Sequence, residues 1–321
     1  MKKNKILVTG SSGFIGFHVC YKLLKHRYKI LGLDNHNNYY DPKLKQKRLN
    51  LLKKFNNFRF LKIDIKNKKK IHNILKKYRP IIIIHLAAQA GVRYSFLKPQ
   101  EYIDTNITGF TNILEGMKEY KLKNFIYASS SSVYGDCKIF PFKENLSLNP
   151  LNFYGQTKLM NEKIANLYEK NFNIKTIGLR FFTIYGPFGR PDMFIPKVLN
   201  KMKKNKSINL YNNGNHFRDF TYVEDVSDII HKIIRNLNKK LIPNIFNVCN
   251  SKKINIRNVI NKIQNITRKK IRCINYPFQI GDMKQTHGSN LLLKKIYKIK
   301  KFKDFSYGIK KTIKIDYLDD Y

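Results

Sequence analysis

Apolar residues in the first part of the chain fall into short unbroken runs, and a stretch with helical spacing follows most of them. Lys5 to Val8 reads as a buried strand, Ser11 to Gly16 as a glycine-rich turn, and Phe14 to Lys25 as a helix. Lys29 to Leu33 is the next strand and ends in Asp34, completing a strand–helix–strand unit. The rhythm then repeats. A helix is predicted over 41–55, a strand from Phe58 to Ile63 closed by Asp64, and a helix from Ile71 to Tyr78. The run Ile81 to His85 shows no polar alternation, as expected of a parallel strand covered on both faces. A helix over 104–120, a strand from Asn124 to Ala128, a helix from Tyr154 to Phe172 and a strand from Thr176 to Arg180 follow. Strands alternating with helices predict an α/β fold with a doubly wound parallel sheet. After residue 181 the rhythm loosens around Pro187, Pro191 and Pro196, where a smaller C-terminal lobe begins. The expected division is a large domain of residues 1–182, rejoined by 216–249, and a lobe built from 183–215 and 250–321.

Composition narrows the function classes. The chain has 321 residues, 42% of them hydrophobic and 13% aromatic, so it can bury a full core and is not disordered in bulk. Lys and Arg number 63 against 21 Asp and Glu, a formal charge of +42 that would draw in nucleic acid or other anions. The lysines are spread along the whole chain rather than gathered in one arm, so runs such as Lys66 to Lys70 and Lys201 to Lys206 read as solvated faces. Nucleic acid is therefore not the expected partner. Cys20, Cys137, Cys249 and Cys273 stand too far apart for metal-ligand or redox spacing, so reduced thiols, no metal and a cytoplasmic location are expected. The opening apolar run breaks at Gly10, which makes it a strand and not a signal peptide. The longest apolar stretch, Ile81 to Val92, is too short for a bilayer and contains His85, so no membrane partner is expected.

Three segments carry candidate chemistry. Gly10, Gly13 and Gly16 recur every third residue directly after the first strand and open the first helix. Gly10 permits the tight turn, Gly13 lets a pyrophosphate approach, and Gly16 lets the helix pack on the strand, which is a Rossmann-type phosphate turn. The helix N-terminus adds free N–H groups and a partial positive charge. Asp34, at the end of the second strand, is placed to accept from a ribose 2′-hydroxyl and would repel a 2′-phosphate, so the expected cofactor is NAD. Asp64 and Ile65 are expected near the adenine. Tyr154 and Lys158 lie four apart, one helical turn, on one face. A free phenol has a pKa near 10, so only about a thousandth is phenolate at pH 7. A neighbouring ammonium would raise that fraction and let Tyr154 take a hydroxyl proton as hydride leaves the same carbon. Ser129 to Ser132 lie at the C-terminal edge of the strand Asn124 to Ala128, facing the ligand crevice, where one hydroxyl can share that proton.

With these elements the chain resembles the extended short-chain dehydrogenase/reductase superfamily, the nucleotide-sugar epimerases and dehydratases. Leu33-Asp34-Asn35 followed by Tyr39-Tyr40-Asp41-Pro42, Leu44 and Arg48-Leu49 is similar to the signature of the UDP-glucuronate 4-epimerases. The same holds for His85 to Ser95, Arg180 to Met193 and Arg218 to Asp225. The resemblance implies that Tyr154, Lys158 and Ser130 are catalytic. It implies that Gly10, Gly13, Phe14, Ile15, Gly16, Asp34, Asn35, Asp64, Ile65, Ala87, Ala88 and Lys158 hold NAD. Ser131, Ser132, Thr183 and Arg190 match positions that hold the sugar carboxylate, and Arg218 matches a contact to the UDP phosphates. A guanidinium can grip a carboxylate bidentately while hydroxyls fill its other lone pairs. One segment departs: Gly281-Asp282-Met283 is present, but Thr286-His287-Gly288-Ser289 lacks an expected Asp.

The implied function is NAD-dependent epimerisation at C4 of a UDP-hexuronate, UDP-glucuronate to UDP-galacturonate, through a transient 4-keto sugar. The implied enzyme is an isomerase serving polysaccharide biosynthesis and forming a homodimer through two helices per subunit. Related 4,6-dehydratases carry an Asp-Glu pair where this chain has Ser131 and Ser132, and related decarboxylases carry Glu at the Ser132 position, so both reactions are disfavoured. Two alternatives stay open. One is a 4-epimerase of a neutral UDP-sugar such as UDP-galactose or UDP-N-acetylglucosamine. The other is a non-catalytic dinucleotide-sensing protein.

Overall fold

The computed structural model describes residues 5–237, 244–278 and 283–318. Its strands are β1 (Lys5–Thr9), β2 (Lys29–Asp34), β3 (Phe58–Lys62), β4 (Ile82–His85), β5 (Asn124–Ser130), β6 (Lys175–Phe181), β7 (Thr183–Tyr185), β8 (Ile208–Tyr211), β9 (Phe217–Tyr222), β10 (Ile245–Val248), β11 (Lys253–Asn255) and β12 (Cys273–Tyr276). The helices used below are α1 (Phe14–Lys25), α2 (Pro42–Lys53), α3 (Lys68–Tyr78), α4 (Gly109–Glu119), α5 (Phe153–Phe172), α6 (Phe194–Lys203), α7 (Val223–Arg235), α8 (Ile256–Thr267), α9 (Leu291–Tyr297) and α10 (Phe305–Ile313).

Seven strands pair in parallel in the order β10-β6-β5-β4-β1-β2-β3. The central strands β1 and β4 are buried on both faces because helices cover both, whereas the edge strand β3 is largely exposed. Ile6 and Val8 point into a layer with Leu23 of α1 and Ile230 of α7, while Leu7 between them packs with Ile71 of α3 and Ile113 of α4. Strand order reverses between β1 and β4, which opens a crevice at their carboxyl ends. Thr9 and His85 face each other there, with Thr9 Oγ1 2.9 Å from His85 Nδ1.

The predicted helix over 104–120 starts differently from expectation. Ile103–Thr108 forms a widened π-turn before α4. The contacts that hold it come from elsewhere in the chain: Asn161 Nδ2 donates to the Asn106 carbonyl at 2.6 Å, while Asn106 itself bonds both Gln89 N and Gln89 O. A side chain that takes a ladder carbonyl in this way displaces the regular backbone bond.

The smaller lobe has its own core, with Leu199 of α6, Leu210, Phe220, Ile260 of α8 and Ile309 of α10. Its sheet has the order β11-β9-β7. β9 pairs with β7, Thr183 opposite Phe220. Farther on, Leu293, Tyr297 and Phe302 pack into the core of the large sheet. Gly281 and Asp282 lie outside the described residues. Among the described residues, no helix is long and apolar enough to cross a membrane.

Asp219 ties β9 to two later segments. Its fully buried carboxylate accepts from Asn250 N (2.9 Å) and Gly288 N (3.2 Å). Ser289, in the segment that departs from the family pattern, is buried and donates its own N–H to Phe142 O at 2.8 Å. Burial pushes the Asp219 carboxyl up to about 7, against the pull of four backbone N–H groups. A carboxyl raised on folding contributes stability that is complete below its unfolded value and fades as pH rises through about 7. The expected result is a melting temperature that falls across that interval, with a flatter profile in Asp219→Asn, measured by thermal unfolding at a series of pH values.

Candidate active site

The crevice at the sheet's reversal is a cleft of about 520 Å³. Gly10 ends β1 with φ of +69°, and a Cβ there would meet Ala87 N at 2.7 Å. A Cβ on Gly16 would lie 2.0 Å from Gly10 O, so α1 begins pressed against the turn. No side chain caps α1, and its first N–H groups are left for an anion. Asp34 Oδ2 accepts from Ser12 N (3.2 Å) and Oδ1 from His36 N (2.9 Å), which fixes the carboxylate on the cleft wall with lone pairs left over for hydroxyls. The donor-rich turn, the carboxylate and the small Ala87 and Ala88 opposite fit a dinucleotide. Gly13, Phe14, Ile15, Asn35 and Ile65 line the same cleft. Asp64 does not. Its Oδ2 accepts from Asn35 Nδ2 at 3.1 Å and its Oδ1 from Lys66 N at 2.9 Å, so it braces Asn35, which does line the cleft.

Across the cleft, Asn152 caps α5 through Gly155 N at 2.8 Å and sets the first turn that carries Tyr154. Gly155 lies so close to Ser132 O that a Cβ would stand 2.7 Å away. This packing brings Tyr154 to the Ser130–Ser132 turn. Ser130 Oγ accepts from Ser132 N at 3.1 Å, pairs with Ser132 Oγ, and bonds the Tyr154 hydroxyl. Lys158 Nζ donates to Ala128 O at 2.8 Å. Burial lowers Lys158 to about 8, opposed by Glu162 one turn further along α5. Burial raises the Tyr154 phenol, and Arg190 and the Ser130 bond pull it back. Lys158 Nζ stands 5.9 Å from the centre of the Tyr154 ring, so Arg190 and Lys158 both flank the phenol.

The sugar end of the cleft gathers Ser131, Ser132, Thr183, Arg190 and Arg218. Arg218 and Thr183 also line a second, adjoining cleft of about 910 Å³. Arg190 Nε donates to Asp192 Oδ1 at 3.0 Å and Nη2 to Oδ2 at 2.6 Å. Tyr39 Oη donates to the same Oδ2 at 3.1 Å.

Several site residues had no role in the sequence reading. Glu162 holds Arg180 side-on (2.9 and 2.7 Å), and Arg180 reaches Tyr134 Oη at 2.8 Å, so a buried ion pair stands behind the serine turn. Lys45 is buried at the cofactor end with Nζ on Asn37 O at 2.8 Å. Arg48 ties the turn to the 186–190 loop, donating to Ser12 O (3.0 Å) and Phe188 O (2.6 Å). Glu162 had a signal, its spacing of four from Lys158. Arg48 stood in a family-like segment, but its partners Ser12 and Phe188 lie 36 and 140 residues away and gave this role no signal.

Residues 6–249 match the NAD dependent epimerase/dehydratase family. The chain belongs to this family. Among family relatives, the UDP-glucuronate 4-epimerase of Thermodesulfobacterium geofontis is 38% identical over 309 residues, 96% of this chain and 94% of that one. The UDP-glucuronic acid 4-epimerase of Bacillus cereus, solved in complex with UDP-glucuronic acid and NAD, superposes with a TM-score of 0.91 at 32% identity, covering 97% of this chain and 98% of that one. The UDP-glucose 4-epimerase of Thermotoga maritima, solved with UDP-glucose, gives a TM-score of 0.88 at 26% identity, again over 97% and 98%.

Proposed function

We propose that this family member is an NAD-dependent isomerase that inverts C4 of a UDP-hexuronate, converting UDP-glucuronate to UDP-galacturonate. The observation that carries the reading is the sugar end of the cleft, where a forked cation, Arg190, stands with Ser131, Ser132 and Thr183 close to the Tyr154 phenol. A guanidinium and three hydroxyls suit a planar carboxylate and are excessive for a neutral hydroxymethyl group.

Bound NAD supplies the oxidation and re-reduction of C4. Gly10, Gly13, Gly16, Asp34 and Asn35 hold it, and Lys158 is placed to reach its ribose. Tyr154 takes the 4-hydroxyl proton and later returns it, with Ser130 sharing the hydrogen bond. The 4-keto sugar turns over between the two transfers. Arg190, Thr183, Ser131 and Ser132 hold the carboxylate and restrict the alignment in which a β-keto acid loses CO2. Arg218 holds the nucleotide phosphates at the junction of the two clefts. We further infer a homodimer, supported by Met160, Leu167 and Phe172, which stand 47%, 57% and 43% exposed on α5. The free cysteines favour a reducing compartment such as the cytoplasm.

The test is incubation of the purified protein with UDP-glucuronate and no added cofactor, followed by sugar analysis. UDP-galacturonate is the expected product. A UDP-pentose as the main product, or no conversion, would overturn the reading.

A further inference from the structure

The cation assigned to the substrate carboxylate already holds a carboxylate of its own. Arg190 and Asp192 sit on one turn, closed by Met193 N on Arg190 O at 3.1 Å. Asp192 takes the Nε and Nη2 edge of the guanidinium, and Tyr39 steadies the acceptor oxygen. Tyr39 is wedged in turn against Gly91, where a Cβ would lie 2.3 Å from its hydroxyl oxygen. The pair is partly buried, with side chains 22% and 29% exposed. Arg190 holds Asp192 below the usual carboxylate range despite that burial, so Asp192 stays charged at neutral pH.

Three N–H groups remain, two on Nη1 and one on Nη2, so a substrate carboxylate meets only the outer edge of a guanidinium whose charge is already shared. For a reaction that turns the sugar over, this has a use. A half-turn that shows the other face of C4 to the same partner exchanges the positions of C3 and C5. The carboxylate on C5 cannot keep the same hydrogen bonds in both poses. A grip that is too strong in one pose deepens a ground state and slows turnover without helping it.

We propose that Asp192 is the resident counter-ion of Arg190: it weakens the hold on the uronate carboxylate and takes the guanidinium back while the 4-keto sugar turns. Asp192 is a positioning residue, acting through Arg190, and its role rests on the uronate reading above.

The test compares wild type, Asp192→Asn and Tyr39→Phe. Asp192→Asn keeps the shape and removes the charge. Its expected effect is a roughly tenfold tighter dissociation constant for UDP-glucuronate by calorimetry, the scale of one charge-assisted bond. A roughly tenfold lower kcat accompanies it. The near-ultraviolet absorbance of reduced dinucleotide rises in the steady state, because turning becomes slow after C4 is oxidised. Binding of UDP-glucose is unchanged. Tyr39→Phe moves every reading the same way by less, and it serves alone if the Asn variant does not fold. Unchanged uronate binding, or weaker binding with the same kcat, would overturn the role of Asp192 while leaving the epimerase reading in place. A wild-type protein that turns over UDP-glucose and not UDP-glucuronate would overturn both.

Discussion

Replacing Tyr154 with Phe lowers kcat by on the order of a thousandfold, with UDP-glucuronate binding changed by less than about threefold. The ring keeps its place on the first turn of α5, where Asn152 fixes the helix start and Gly155 presses it against Ser132. What disappears is the group that exchanges the proton at C4. Ser130 remains within reach, but a hydroxyl with a pKa far above that of a phenol is a poor base. Burial already pushes the Tyr154 phenol upward, so the wild-type enzyme works against a cost that Arg190 and Ser130 offset in this structure. Activity should therefore rise with pH through the neutral range as the phenolate fraction grows. A steady-state pH profile beside a calorimetric binding curve checks both parts.

Arg190→Ala separates the two sugar readings. Removing one member of a hydrogen-bonded ion pair leaves Asp192 facing the incoming uronate with only the Tyr39 hydroxyl and no countercharge. Loss of attraction and gain of repulsion act in the same direction, on the order of 3 kcal/mol or more together. The expected fall in kcat/KM for UDP-glucuronate is on the order of a hundredfold to a thousandfold. A neutral sugar loses less than about tenfold, because Arg190 still matters to it only through the Tyr154 phenol. Without the cation the phenol rises further, so the neutral-sugar pH profile shifts to the alkaline side. Equal losses with both sugars would remove Arg190 from carboxylate binding.

How far the chain could be read without coordinates depended on sequence distance. The parallel sheet was visible because its central strands are short apolar runs, and Ile81 to His85 shows it most plainly. The glycine turn and the Tyr154–Lys158 pair were visible because their geometry is local, one turn and one helical repeat. The π-turn at Ile103–Thr108 was not, since its cause is Asn161. The placement of β9 was not either, since its partner β7 lies more than thirty residues earlier. The bond from Asn35 to Asp64 was not visible either, since the two lie 29 residues apart. Asp192 stood in plain view two residues from Arg190, but only the folded turn reveals that both of its oxygens face the guanidinium.

The central claim is that C4 of a uronate is oxidised and re-reduced inside one cleft, with Tyr154 trading the proton. UDP-glucuronate carrying deuterium at C4, incubated with the protein as purified, tests it most directly. The account predicts UDP-galacturonate with the label still at C4 and none in the water, and no product from Tyr154→Phe on the same time scale. Label washed into solvent during inversion, or inversion undiminished in Tyr154→Phe, would contradict it.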